Sequence, residues 1–273
     1  MKSVISIRRA LCGAAMLLAL GSAAEAGVAR TWVGSSGNDS NTATNCARTA
    51  PCKTFAAAYS VTQSGGEIVA LDSVGYGPIT ITTPLTIIGL EGAFVSVQSN
   101  TTGITINAGA TDVVVLDNIV ISGAAGSSNT KGIVLSTGRL VLQNSKLRGL
   151  TTGLTVTSTH ADVVNTDFMG NTLAIQTTGA GGAYNSGIGI WLCPCTTLVR
   201  INAGNFISNT TVFNENNPTS TSGQSSATIY VFQSGTQFSA NVTGYTTLMT
   251  VTGTGAVPPG PGVQTYGGSS APN

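Results

Sequence analysis

A short pattern recurs three times between Gly103 and Asn171, and it limits the possible folds more than any other feature of the chain. A glycine opens each copy and an apolar-alternating triplet follows: Gly103-Ile104-Thr105-Ile106, Gly132-Ile133-Val134-Leu135 and Gly153-Leu154-Thr155-Val156. A second apolar run then ends in asparagine: Val114-Val115-Leu116-Asp117-Asn118, Leu140-Val141-Leu142-Gln143-Asn144 and Ala161-Asp162-Val163-Val164-Asn165. Three positions past each asparagine stands a large apolar side chain, Ile121, Leu147 or Phe168. The asparagines recur at intervals of roughly 20 to 30 residues, the range of stacked repeats. The apolar runs alternate with period two, which is strand periodicity. No helix-length segment separates them, so βαβ units are excluded. Short strands and turns that repeat at this interval wind around an axis, and equivalent strands then stack in parallel about 4.8 Å apart. Asn118, Asn144 and Asn165 are therefore expected to pile amide on amide at one corner, satisfying polar groups and setting the register.

These copies resemble coils of the right-handed parallel β-helix, the pectin-lyase-like fold. Each coil of that fold has three strands, and an asparagine often marks the turn between the second and third. Asn118, Asn144 and Asn165 match that place. Gly65-Gly66-Glu67-Ile68-Val69 through Gly75-Tyr76 to Leu85-Thr86-Ile87-Ile88-Gly89 is similar to the first coil of many secreted bacterial β-helix proteins. The segment from Cys46 to Phe55 resembles the leader of uncharacterised members. The resemblance spans roughly Thr31 to Gly253 and implies an all-β solenoid. It is specific for fold and weak for function, because one fold hosts many activities.

The stretch 1–26 reads as a signal peptide. Lys2, Arg8 and Arg9 form a basic start, Ala10 to Leu20 is apolar, and Ala24-Glu25-Ala26 fits a small-x-small cleavage site before Gly27. Arg8-Arg9 also raises twin-arginine export, although Ile7 stands where Ser or Thr is typical. The apolar run falls short of the ~20 residues a membrane span needs. A secreted protein, extracellular or periplasmic, is expected. Without Cys12, four cysteines remain for an oxidising compartment. Cys46 and Cys52 suit a loop disulfide. Cys193-Pro194-Cys195 is read as a second, tight disulfide, with a redox role as the alternative. The single histidine leaves too few ligands for a thiolate–imidazole metal site.

Residues 27–253 are read as one β-helix domain, and the Pro/Gly-rich residues 254–273, from near Pro258-Pro259-Gly260-Pro261, as a disordered tail. Phe55, Ala58, Tyr59 and Thr62 have helical spacing, so Thr54 to Gln63 predicts a short N-terminal capping helix that Gly65-Gly66 ends. Its role would be to cover the open end of the first coil. Leu198 to Asn202 repeats the second-strand pattern, but Phe206 lies four past Asn202 rather than three. Either a bulge intervenes or Ala203 takes the ladder place. Thr211-Val212-Phe213 and Thr228 to Phe232 make a last coil, and Thr243 to Thr252 a final strand or two.

Charged residues are 8% of the chain against a usual ~25%, and the near-neutral net charge carries no electrostatic footprint for nucleic acid. In β-helix enzymes the site usually lies on the outer side of the first strands. If Ile104, Ile106, Ile133, Leu135, Leu154 and Val156 point in, then Thr105, Asn107, Val134, Ser136, Thr155 and Thr157 point out. That side holds no cluster of acid, base or nucleophile. A glycosidase needs two facing carboxyl groups. A pectate-type lyase needs carboxylates for calcium and an Arg or Lys base. Asn165-Thr166-Asp167 matches one short polygalacturonase-like motif and Arg200-Ile201-Asn202 is a near miss, but the family's other motifs are absent.

Asp112 and Asp162 read as starting second strands. His160 stands at the turn before such a strand and Arg139 in the matching place one coil earlier; Lys131 precedes a first strand. Together Asp112, Lys131, Arg139, His160 and Asp162 form the candidate groove for an anionic sugar, with solvated turn residues as the plainer reading. Trp191, Tyr184 and Tyr230 could stack on sugar rings, although core packing suits Trp191. Gly179 to Gly182 lacks the ending of a phosphate loop. The expected function is a non-catalytic surface scaffold or polysaccharide-binding module, monomeric and without cofactor. The alternative is a polysaccharide lyase or glycoside hydrolase acting on acidic polysaccharide, with calcium as its cofactor.

Overall fold

The computed structural model describes residues 27–157, 160–178, 197–215, 227–239, 249–252 and 263–265. The chain opens with strand β1 (Val28–Val33), a 3₁₀ turn (Asp39–Thr44), helix α1 (Phe55–Val61) and β2 (Thr62–Ala70). Strands then follow in threes: β3 (Ile79–Ile81), β4 (Leu85–Ile88), β5 (Phe94–Val97); β6 (Thr102–Asn107), β7 (Val113–Asp117), β8 (Val120–Gly123); β9 (Lys131–Thr137), β10 (Arg139–Gln143), β11 (Lys146–Arg148); β12 (Thr152–Thr157), β13 (His160–Val164), β14 (Asp167–Met169). In the fifth turn β15 (Leu173–Thr178) precedes one long strand, β16 (Thr197–Ile207). In the sixth β17 (Thr211–Glu215) precedes β18 (Ala227–Ser239), and β19 (Met249–Thr252) and β20 (Val263–Thr265) complete the described elements.

The strand pairs are parallel, and the strands line up in three runs, a parallel β-solenoid-like arrangement. The first run is β3-β6-β9-β12-β15-β17. The second is β1-β2-β4-β7-β10-β13 and the first half of β16; the third is β5-β8-β11-β14 and its second half. The triads arise because each short apolar-alternating segment buries alternate residues inward before a turn ends it.

Packing inside is columnar. Val95, Ile121, Leu147, Phe168 and Phe206 stand in register on successive third-run strands, all fully buried. The Phe168 and Phe206 rings stack with centroids 5.0 Å apart. The three repeat glycines face these side chains. A Cβ on Gly153 would lie 2.6 Å from the Ala174 carbonyl oxygen and 3.0 Å from the Phe168 ring, so only glycine fits where the first run passes over the third-run core.

The corner between the second and third runs carries asparagine in three successive turns. Asn118, Asn144 and Asn165 take left-handed φ of 56°, 50° and 45°, a conformation asparagine tolerates better than most residues. Asn165 Nδ2 donates to Asn144 Oδ1 at 2.9 Å. The stack then breaks: Asn144 donates to Asp117 Oδ1 at 2.8 Å and Asn118 to the Gly89 carbonyl at 3.4 Å. In the fifth turn Val164 pairs with Asn202 and Phe168 with Phe206. Ala203 therefore stands opposite Asn165, and the register shift falls later, between Asn202 and Gly204 against β18.

Other expectations are corrected. α1 ends at Val61, and Gly65-Gly66 lies inside β2 instead of closing the helix. Thr62 is already extended, because it pairs with Val28 and its hydroxyl meets that of Thr31 at 2.8 Å. Thr54 caps α1 by accepting the Ala57 N–H at 3.1 Å. Val263–Thr265, inside the stretch read as a disordered tail, pairs with β19 as a strand. Cys46 and Cys52 form a disulfide. Cys193 and Cys195 lie outside the described residues, as do Gly179 to Gly182, Tyr184 and Trp191. No helix of the described residues is long and apolar enough to cross a membrane.

Candidate functional site

Along the middle of the first run the outward side chains that the structure describes are polar or aliphatic and uncharged, while the exposed Lys131 opens β9 at its edge. Ile104, Ile106, Ile133, Leu135, Leu154 and Val156 are fully buried. Thr80, Thr105, Val134, Thr155 and Gln176 occupy one register column on the other side, but Thr155, expected to point out, is buried. Ser136 is displaced: the pairing shifts so that Thr137 stands opposite Asn107, and the Thr137 hydroxyl lies within hydrogen-bond reach of two acceptors, Asn107 Oδ1 at 2.8 Å and the Ala108 carbonyl at 2.7 Å. Thr157 and Thr178 hydroxyls meet at 2.8 Å. These outward positions carry hydroxyls, amides and aliphatic groups and no carboxylate or base.

The candidate charged residues gather instead on the second run. Arg139 and His160 are register partners, the first residues of β10 and β13. Asp162 stands two positions beyond His160 on the same side of β13, opposite Val141. Asp112 does not begin β7 but precedes it; its carboxylate accepts the Gly109 N–H at 2.9 Å and its carbonyl accepts the Arg139 N–H at 2.8 Å. Asp112 and Asp162 are thus at different heights along their strands, since a tight turn consumes Asp112. Asp112, Arg139 and His160 share one corner, and Asp162 lies two positions along β13 from it. Lys131 does not share it, because the length of β9, roughly 20 Å at ordinary strand rise, separates it from Arg139.

At the N-terminal end the fold alters the acidity of one carboxyl and two phenols. Burial would raise the Asp72 carboxyl, but hydrogen bonds from the Ser35 and Tyr76 hydroxyls and the Ser35 N–H hold it below the usual carboxylate range. Burial and the Asp72 partner push the Tyr76 hydroxyl upward. Burial likewise opposes the Tyr59 shift, but Thr82 and Thr83 lower it, each through a hydroxyl and a backbone N–H. These three groups fasten α1 and the first loops; nothing in their surroundings forms an acid–base pair around a cleft. Among the described residues no group of three His, Cys, Asp or Glu side chains could hold a metal ion.

Two sets of residues escaped the sequence reading. A second asparagine column lies at the corner between the third and first runs. Asn129 Nδ2 donates to Asn100 Oδ1 at 3.0 Å on the surface, and Asn171 Nδ2 donates to Asn209 Oδ1 at 3.1 Å in the interior. The signal was a repeated dipeptide, Asn100-Thr101, Asn129-Thr130, Asn171-Thr172 and Asn209-Thr210, interrupted once by Leu150-Thr151. The other set is Lys146 and Arg148, both exposed on one side of β11. Set against known protein families, curated proteins and solved structures, the chain matches none.

Proposed function

We propose that the chain is a secreted right-handed parallel β-helix protein that works without catalysis, as a surface scaffold or polysaccharide-binding module. The observation that carries this is the middle of the first run's outer side, where Thr80, Thr105 and Gln176 share a register column, Asn107 pairs with Thr137 and Thr157 with Thr178, and no ionisable group stands among the described side chains. Such a surface can hydrogen-bond sugar hydroxyls over several turns but offers no acid–base group to move a proton or to activate a hydroxyl as a nucleophile. The disulfide and the N-terminal export-like segment fit an oxidising, extracytoplasmic compartment. In this reading α1 caps the solenoid, with Phe55 and Ala58 buried beneath it.

A second reading, a lyase or hydrolase of acidic polysaccharide, draws support from Asp112, Arg139 and His160 at one corner, with Asp162 two positions along β13. The two readings separate in one assay. The protein is incubated with a panel of acidic polysaccharides with and without calcium, and unsaturated and reducing ends are followed. Binding on a glycan array with no end released supports the module; turnover that is lost in His160→Ala or Asp162→Asn establishes the enzyme.

A further inference from the structure

The third turn is a cationic belt, and we propose that it binds a linear anionic polysaccharide, carboxylated or sulfated. This rests on the polysaccharide-binding reading above and gives it a ligand class and a surface. No Asp or Glu occurs between Asp117 and Asp162, while Lys131, Arg139, Lys146 and Arg148, four of the chain's 11 Lys and Arg, fall inside that interval. β9, β10 and β11 make up a single turn, so the four cations ring it. All four are exposed. Lys146 and Arg148, two apart on one strand, are about 7 Å from each other. None of the four takes part in an ion pair or side-chain hydrogen bond among the described residues, where Arg30–Glu67 is the salt bridge seen. Carboxylates on the flanking turns are engaged: Asp112 with Gly109, Asp117 with Asn144, and Asp167 with both the backbone N–H and the side-chain amide of Asn205.

The surroundings of β11 are those of a sugar platform. Ser96 and Ser122 stand in register with Arg148, and Phe94 and Val120 with Lys146. These four are half-buried. Cations, a hydroxyl column and an apolar strip side by side complement the charged groups, hydroxyls and C–H faces of an acidic glycan. The belt's curvature decides against two other polyanions. A flat anionic membrane would meet the Lys146–Arg148 pair while Arg139 and Lys131 faced other directions. A nucleic acid duplex draws its affinity from many phosphate contacts, and four charges spread around a convex turn offer few at once. A linear polymer with spaced charges can follow the perimeter.

The test measures binding of the full chain to polygalacturonate, a sulfated glycosaminoglycan and a neutral glucan across a salt titration, with anionic vesicles and duplex DNA as comparison ligands. Binding to the acidic polymers is expected to weaken as salt rises, and K146A/R148A to lose roughly 30-fold in affinity with an unchanged circular dichroism spectrum. D167N, which removes the carboxylate in register with Lys146, is expected to tighten binding, a gain that misfolding cannot produce. Equal affinity for the neutral glucan, together with no loss in K146A/R148A, overturns the belt and leaves polysaccharide binding standing. Failure of the wild type to bind any polysaccharide overturns both, and tighter binding to vesicles or DNA than to any glycan overturns the ligand class.

Discussion

Replacing Asn171 by alanine should strand two buried backbone groups and destabilise the protein severely, whereas the same corner logic predicts almost no cost at Asn165. Asn171 is 1% exposed. Its Oδ1 accepts the Leu150 N–H at 3.0 Å, and its Nδ2 donates to the Leu147 carbonyl at 3.0 Å and to Asn209 Oδ1. Truncation leaves one backbone donor and one backbone acceptor away from water, at about 1–3 kcal/mol each, so the total loss should be about 2–6 kcal/mol. Asn165 is exposed and makes its one side-chain bond to Asn144 in solvent. Glycine takes its left-handed φ without strain, so Asn165→Gly should cost less than about 1 kcal/mol. Denaturant melts followed by circular dichroism give the comparison, read as midpoints at a common slope. Asn171→Leu sharpens the test. Leucine fills the same column place in the preceding turn, at Leu150, yet at 171 it would restore volume and leave both backbone groups unpaired. It should therefore stay as unstable as alanine. Recovery of stability by leucine, or an Asn165→Gly loss equal to that of Asn171→Ala, would refute the claim that buried amide pairing holds this corner.

Three further outcomes follow from the same structure. Gly153→Val should cost at least about 1–3 kcal/mol by overpacking, and adding Phe168→Leu should recover only part of it, because the Ala174 carbonyl still blocks the new Cβ; thermal melts of both variants check this. The depressed Asp72 carboxyl contributes stability that is present above its unfolded value, near 4, and is lost as pH falls through the lower folded value. The stability gap between wild type and Asp72→Asn should thus be widest at neutral pH and close in acid, which melts across pH will show. Reducing the Cys46–Cys52 loop should lower stability by roughly 2 kcal/mol on loop-entropy grounds, with earlier proteolytic nicking between Asp39 and Thr54.

The repeat was legible because strand period and glycine–asparagine spacing are both local. The inward residues named on the first run are buried, and Arg139 and His160 stand in register one turn apart, as their places in the repeat imply. What escaped was set by neighbours in space. Asn171 and Asn209 are distant in the chain, and Leu150 interrupts their column, so the corner shows only once register is known. Thr62 leaves the helix because Val28, at the start of the described chain, pairs with it. Asp112 and Asp162 look equivalent in sequence, but a turn consumes one and a strand carries the other.

The same geometry explains why charge is more informative here than any motif. A solenoid-like stack of parallel strands turns sequence intervals into rings: a stretch of roughly twenty to thirty residues becomes one circuit, and its composition becomes a band. An acid-free interval that would mean little in a globular chain is here a belt, with Lys131, Arg139, Lys146 and Arg148 facing outward in different directions. The first run's outer side follows the same rule along the axis, where Thr80, Thr105, Val134 and Gln176 come from four separate turns. Sugar recognition along that polar column and anion recognition around the belt would meet where Lys131 opens β9, at the edge of the hydroxyl-lined side. Lys131→Ala is therefore the substitution expected to weaken both, reducing affinity for neutral and acidic polymers alike, while Arg148→Ala affects the acidic ones alone. If both variants lose only acidic binding, the two surfaces act independently and the shared edge has no role.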